Sequence, residues 1–292
     1  MILFFFADNK LNVTFSAEEL NKKSAVGYLD AHLHLQDKRL QAQLPAVIAR
    51  ARQKGVEQFF CNATSEKDWL VVVELAQTNS DVIPFIGIHP WYADLATEGW
   101  EERFCMILEQ HSCGVGETGL DKRCPVDFTH QVALFKAQIQ LALQYHRPLV
   151  VHCVKSWGAV VDTLEQEFTG PGAPPVMLHS YSGSVETMRR LVKAGAYISF
   201  STRLLGRDEA RLKQVLVETP VERILLETDS PDQLPPEWMA KEGRTCNEPM
   251  WIRDLYHQVA QLKKINVEDL KVSIWENGKI FTHTAASRSE WI

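Results

Sequence analysis

Pro148-Leu149-Val150-Val151-His152 sets three apolar residues between a proline and an imidazole. Proline ends any helix that runs into it, and the unbroken apolar run predicts a strand buried on both faces, as in a parallel sheet covered by helices. His152 stands where that strand would leave the sheet. On the N-terminal side, Phe128, Val132, Phe135, Ile139 and Ala142 fall on one stripe of a long amphipathic helix. On the C-terminal side the next helix is predicted from Trp157.

The same alternation extends outward in both directions. Toward the N-terminus lie a short strand from Cys113 to Glu117, a helix around Trp100 to Gln110, and a strand from Val82 to Ile88 stopped by His89-Pro90. Before them come a helix marked by Trp69, Val72, Val73 and Ala76, a strand from Gln58 to Ala63, and one helix from Leu40 to Lys54 ended by Gly55. The first strand is Asp30-Ala31-His32-Leu33-His34-Leu35. Toward the C-terminus follow strand Val176 to His179, a helix from Val185, strand Ala196 to Phe200, a helix from Arg207 and strand Arg223 to Glu227. A last helix aligns Ile252, Leu255, Val259 and Leu262.

Strands that alternate strictly with helices require right-handed crossovers and a parallel sheet. Eight such pairs predict an α/β fold of the (β/α)8 TIM-barrel type, whose usual size is about 250 residues. We expect a single barrel domain over residues 27–285, preceded by a polar, poorly ordered extension at 1–26 and followed by a short tail at 286–292. The units share no internal repeat, which excludes a solenoid, and no G-x-G-x-x-G follows a strand to support dinucleotide binding.

Composition narrows the partners. The 292-residue chain is 45% hydrophobic, enough for a large core, and carries a formal charge of -6, which argues against a broad basic face for gripping duplex nucleic acid. Six scattered cysteines without a C-x-x-C pair predict reduced thiols and a cytoplasmic location. The apolar start Met1 to Phe6 is too short for a membrane span and lacks a basic flank, so no membrane association is expected.

Side chains on a strand alternate faces, so His32 and His34 project together and offer half a metal site. Barrel active sites sit where strands end. There the prediction places His32 and His34 after strand one, Glu117 after strand four, His152 after five, His179 after six and Asp229 after eight. Any one of these has an ordinary explanation as a loop charge, a core histidine or a helix cap. Six nitrogen and oxygen donors at one mouth point instead to a metal centre. Imidazole and carboxylate donors without a thiolate suit Mg, Mn or Zn.

The ordered motifs carry a family resemblance. Asp30-Ala31-His32-Leu33-His34-Leu35, Gly87-Ile88-His89-Pro90, Gly116-Glu117-Thr118-Gly119-Leu120-Asp121, His152, His179 with Ser182-Gly183-Ser184, and Leu226-Glu227-Thr228-Asp229-Ser230-Pro231 resemble the TatD family of metal-dependent deoxyribonucleases. Asn247-Glu248-Pro249 and Asn277-Gly278-Lys279-Ile280-Phe281 look like its later motifs, so the resemblance covers residues about 28 to 283. It implies an amidohydrolase-like barrel with two divalent metal ions. His32, His34 and Asp229 would hold one ion and His152 and His179 the other, with Glu117 bridging. Two cations roughly 3.5–4 Å apart can activate a water and clamp a phosphoryl oxygen. Asp229 is the natural acceptor of that water's proton, so Asp229 and Glu117 are the expected catalytic carboxylates. Glu227, on the same strand face as Asp229, would support a ligand histidine.

The implied activity is cleavage of phosphodiester bonds at DNA ends or single strands through a metal-activated water. An amidohydrolase-type reaction on a small ester, lactone or amide is the alternative, and a non-catalytic metal-bound scaffold a third. Expected substrate contacts are His89, Lys122, Arg123, Lys155, Trp157 and Arg203, with Arg207 and Arg244 adding to a locally basic mouth. Loop aromatics Trp91, Tyr92, Trp157, Tyr181 and Trp238 are candidates to stack unpaired bases. The chain departs from the family pattern at Thr118, where isoleucine is usual, at Lys122 in place of an aromatic, and at Cys153-Val154 and Cys246 in place of Ser-Arg and Arg. All six expected ligands are intact.

Overall fold

The computed structural model describes residues 26–168, 172–235, 237–239 and 245–282. The expected extension up to residue 25, the C-terminal tail and Arg244 lie outside these residues. Eight strands follow one another around a parallel sheet in the order β1 to β8: Tyr28–Leu33, Val56–Asn62, Val82–Ile86, Gly114–Asp121, Leu149–Val154, Val176–Leu178, Tyr197–Ser201 and Ile224–Glu227. The helices are α1 (Lys38–Gln41), α2 (Leu44–Gln53), α3 (Glu66–Thr78), α4 (Trp100–Gln110), α5 (Phe128–Gln144), α6 (Trp157–Glu167), α7 (Val185–Lys193), α8 (Ala210–Glu218), α9 (Ile252–Lys263) and α10 (Val267–Thr282). Strictly alternating strands and outer helices make this the TIM barrel that the sequence predicts. The ring closes just beyond β8, where Asp229 N donates to the His32 carbonyl at 2.9 Å and His34 N to the Ser230 carbonyl at 2.8 Å.

Three elements differ from the sequence reading. The helix expected over Leu40 to Lys54 is split into α1 and α2, because Pro45 has no N–H to bond back into α1 and fits only the first turn of a new helix. β4 runs on to Asp121, so Glu117 lies inside the strand and not at its end; the pairing of β4 with β5 is irregular between Val115 and Thr118, and Glu117 leaves the ladder there. α10 is a helix beyond the eight expected pairs, and it explains a motif. Its Phe281 is fully buried, with ring centroids 6.1 Å from Phe60, 5.9 Å from Phe85 and 5.8 Å from Tyr197, so one aromatic side chain plugs the barrel between β2, β3 and β7. Gly278 is needed one turn earlier, since a Cβ would run into Leu29 of β1, and Asn277 Nδ2 donates at 2.8 Å to the carbonyls of Val221 and Ile224 at the root of β8.

Candidate metal centre

The first cluster of donors forms where β1 meets the segment after β8. Asp30 is fully buried and its two carboxylate oxygens accept from Thr228 N at 2.8 Å and Thr228 Oγ1 at 2.6 Å. That pins the turn whose next residue, Asp229, has a left-handed backbone with φ 55°, a conformation that short polar side chains tolerate best. Asn247 holds the same turn from outside, its amide donating to the carbonyls of Thr228 and Asp232 at 2.8 Å. As a result His32 Nε2 lies 3.3 Å from His34 Nε2, and Asp229 Oδ1 lies 3.6 Å and 3.5 Å from them. Ligands about 2.0–2.2 Å from one ion stand roughly 3–3.5 Å from each other, so these three donors fit around a single cation.

Glu117 joins this cluster to a second. Its Oε2 is 3.4 Å from Nε2 of both His32 and His34, while Oε1 is 2.8 Å from His179 Nε2, 2.9 Å from His152 Nδ1 and 3.3 Å from His89 Nε2. Each oxygen of one carboxylate therefore faces its own set of imidazoles. The glycines of the motif make this approach possible: a Cβ on Gly119, where φ is 138°, would collide with the His152 carbonyl, and one on Gly87 would lie 2.6 Å from the Glu117 carbonyl.

What stands behind each imidazole decides which nitrogen carries a proton. His34 Nδ1 lies 2.8 Å from the Asn62 carbonyl, an acceptor only, so its proton sits there and Nε2 presents a lone pair to the cluster. Carboxylates lie behind two more: Asp121 Oδ2 is 3.4 Å from His152 Nε2, and Glu227 Oε1 is 3.4 Å from His179 Nδ1. Glu227 is itself fully buried and fixed by Ser180 N at 2.6 Å. His89 is built the other way. Its Nδ1 accepts from Trp91 N at 3.1 Å, so the neutral ring carries its proton on Nε2, aimed at Glu117. His89 is thus set as a donor toward the centre, whereas His34, His152 and His179 are set as ligands. Behind His32, Nδ1 is buried without a hydrogen-bond partner.

Without an ion, protons mediate these contacts. Burial opposes charge on every group here. At Glu117 the imidazoles of His179, His89 and His32 outweigh it and hold the carboxyl well below the usual range. Burial prevails at His32 and His89, both lowered to about 4. At His34 the hydrogen bond it donates to Asp229 and the charge of Glu117 overcome burial and push the imidazole up to about 9. His179 is raised well above its ordinary value against burial by Glu117, and His152 is raised by Asp121 and Glu117. A cavity that gathers imidazolium around carboxylates in this way is one where a divalent cation can replace several protons at once.

The expected substrate contacts divide. His89 is in the centre. Lys122, Arg123 and Lys155 are exposed on the rim, Lys122 with its ammonium 5.2 Å from the Phe128 ring. Arg203 is engaged by Glu209 at 3.0 Å, and Trp157 packs on buried Tyr181 with centroids 4.5 Å apart, so neither is set to face the centre. Asp121 and Asp30 were not among the expected site residues. Asp121 had a readable signal, since it stands four residues after Glu117 and so on the same strand face; the role of Asp30 depends on Thr228, 198 residues away. The departure at Thr118 has a local cause: its buried hydroxyl accepts from Gln138 Nε2 at 2.7 Å, and Gln138 also pairs with Ile88 N at 2.7 Å. Among the described residues no helix is long and apolar enough to cross a membrane.

Comparison with known proteins shows the family and the shared fold. The family model of TatD-related DNases matches residues 29–283. The uncharacterized metal-dependent hydrolase YabD of Bacillus subtilis is 28% identical over 86% of this chain and 96% of its own length. The 3'-5' ssDNA/RNA exonuclease TatD of Edwardsiella piscicida is 30% identical over 83% of this chain and 94% of its own. The solved structure of YJJV, a TatD homologue from Escherichia coli, superposes with a TM-score of 0.79 at 24% identity, covering 87% of this chain and 97% of that one, and shows the shared fold. The chain belongs to the TatD-related DNase family and is a metal-dependent hydrolase.

Proposed function

We propose that the protein removes nucleotides from the ends of single-stranded nucleic acid by hydrolysing phosphodiester bonds at a centre of two divalent metal ions. The observation that carries this reading is the single Glu117 carboxylate placed between two sets of donors. His32, His34 and Asp229 would hold one ion, His152 and His179 the other, and Glu117 would span both. When bound, the ions supply Lewis-acid polarisation of the phosphoryl oxygen and an acidified water.

The chain's own residues supply the rest. Asp229, at the edge of the first cluster, takes the proton of the attacking water. His89 donates from Nε2 to a phosphoryl oxygen, a role suited to an imidazole that is neutral at ordinary pH and whose Nδ1 is already occupied. Asp121 and Glu227 keep His152 and His179 turned toward the centre. Lys122, Arg123 and Lys155 offer exposed charge for neighbouring phosphates, while the acidic remainder of the surface disfavours long duplex. The relative named as a 3'-5' ssDNA/RNA exonuclease supports the substrate class. Six cysteines free of disulfides suit the reducing cytoplasm.

The test is metal analysis together with digestion of end-labelled single- and double-stranded DNA and RNA with added Mg, Mn or Zn. Two metals per chain and chelator-sensitive release of nucleotides from single-stranded ends are expected. A stoichiometry below about one ion per chain would sink the two-ion centre. Cleavage of a small-ester or amide panel with nucleic acids untouched would sink the nuclease reading while leaving the centre standing.

A further inference from the structure

Of the five candidate aromatic side chains at the mouth, three are packed against other aromatic rings of the protein. Tyr181 is buried against Trp157, and Trp238 lies edge-on to Trp251 with centroids 5.2 Å apart. Trp91 and Tyr92 are different. They are 53% and 39% exposed, side by side on the 3-10 turn Pro90–Leu95 that follows β3, with Leu95 59% exposed at its end. A large exposed apolar surface beside a reaction centre calls for an occupant.

Trp91 is exposed but not loose. Its indole Nε1 donates to Asp121 Oδ2 at 2.6 Å, and its backbone N donates to His89 Nδ1 at 3.1 Å. The ring is fixed along its polar edge while its face meets solvent, and fixing the ring in advance lowers the entropy cost of a stacking contact. The anchor also locates the ring. Asp121 is the carboxylate that stands 3.4 Å behind His152, so the indole is separated from the donor cluster by one side chain. Lys122 and Arg123, both exposed, continue the chain directly from Asp121, and Arg123 N donates to Asp121 Oδ1 at 2.7 Å. An aromatic face, rim cations and a phosphoryl-binding centre lie together at this point of the mouth.

Resting on the nuclease reading above, we propose that the exposed face of Trp91 is the platform on which an unpaired nucleobase stacks when its phosphate lies at the metal centre. A base inside a duplex has both faces covered by its neighbours, so such a platform selects single strands and frayed ends, and it does so without reading sequence because every base has a π-face. Trp91 is on this view a substrate-binding residue that sets specificity for unpaired ends, and Lys122 and Arg123 hold the adjoining phosphates.

The experiment compares the metal-loaded wild type with Trp91→Ala and Trp91→Phe on oligothymidylate and on an abasic oligomer of the same length. Trp91→Ala is expected to raise KM on oligothymidylate on the order of tenfold while kcat and bound metal change little, and its loss on the abasic oligomer is expected to be smaller by about that factor. Trp91→Phe, which keeps a ring but loses the bond to Asp121, is expected to retain most of the affinity. Equal losses on both oligomers, or a Trp91→Phe variant as impaired as Trp91→Ala, would overturn the platform and assign Trp91 the task of positioning Asp121. Cleavage of oligothymidylate unaffected by Trp91→Ala would also overturn it while leaving the nuclease reading intact. No cleavage by the wild type would bring down both.

Discussion

At one end of the barrel Phe281 lies among Phe60, Phe85 and Tyr197; at the other, Glu117 lies among five imidazoles. The aromatic end is stable on its own terms. Burial of apolar surface is non-directional, and edge and offset ring contacts add about 0.5–1.5 kcal/mol per pair. The polar end is not. Its donors stand 2.8–3.6 Å apart, and buried groups at that spacing need either shared protons or a cation to be tolerated. The same scaffold thus separates the part that keeps it folded from the part that does chemistry, and the two should respond to different perturbations.

The largest effect expected is at Glu117. Glu117→Gln removes the charge that faces both donor sets, and activity should fall about 10³-fold or more, with bound metal reduced at both positions when ion content is measured. Metal added to the wild type should raise its thermal midpoint, since saturation at about 100 times Kd is worth about 2.7 kcal/mol, and this shift should vanish in the variant. Retained metal-dependent stabilisation in Glu117→Gln would break the assignment of Glu117 as the shared ligand. Phe281→Ala provides the converse. Truncating a buried aromatic costs about 3–5 kcal/mol, a lowering of the midpoint by about 2–4 °C per kcal/mol for a domain of this size. The drop should be the same with metal or with chelator, and activity per folded molecule should stay close to wild type.

A smaller effect separates the two donor sets within the polar end. Asp121→Asn and Glu227→Gln leave every donor atom of the centre in place but weaken the groups that orient His152 and His179. Each is expected to cost about 10–100-fold in affinity for one ion, seen by titration as loss of the weaker of two metals. Equal weakening of both ions would show that the two sets do not act separately.

The fold was legible because its strands are apolar runs cut by proline and glycine, and His32, His34, His152, His179 and Asp229 because each stands near a strand's C-terminal end. What stayed hidden has a common cause. Glu117 reached the mouth from inside β4 through an irregular pairing that no local pattern announces. His89 differs from His34, His152 and His179 in what lies behind the ring, a backbone N–H against a carbonyl or carboxylate, and the latter three contacts are made between distant parts of the chain. Asn277 and Gly278 look like a later motif of the family, and they serve packing at the opposite end. Arg203 and Trp157 occupy mouth loops by sequence but are engaged by Glu209 and Tyr181, because a loop cation or aromatic takes whatever partner the fold brings to it.

Asp30 offers the finest test, because it belongs to the polar end by position and acts by packing. Its oxygens accept from Thr228 N and Oγ1, and nothing in that pair touches a donor atom of the centre. Asp30→Asn can keep both contacts, with the amide oxygen accepting from Thr228 N and the amide nitrogen donating to Oγ1. Asp30→Ala strands both Thr228 groups in a fully buried seam, which costs about 1–3 kcal/mol. The alanine variant should therefore lower the thermal midpoint and, by freeing the turn that carries Asp229, weaken only the ion held with His32 and His34, while the asparagine variant stays near wild type in both. If Asp30→Asn loses metal as readily as Asp30→Ala, the negative charge of Asp30 and not its hydrogen bonding sustains the first cluster, and the division between a packed end and a chemical end fails at this residue.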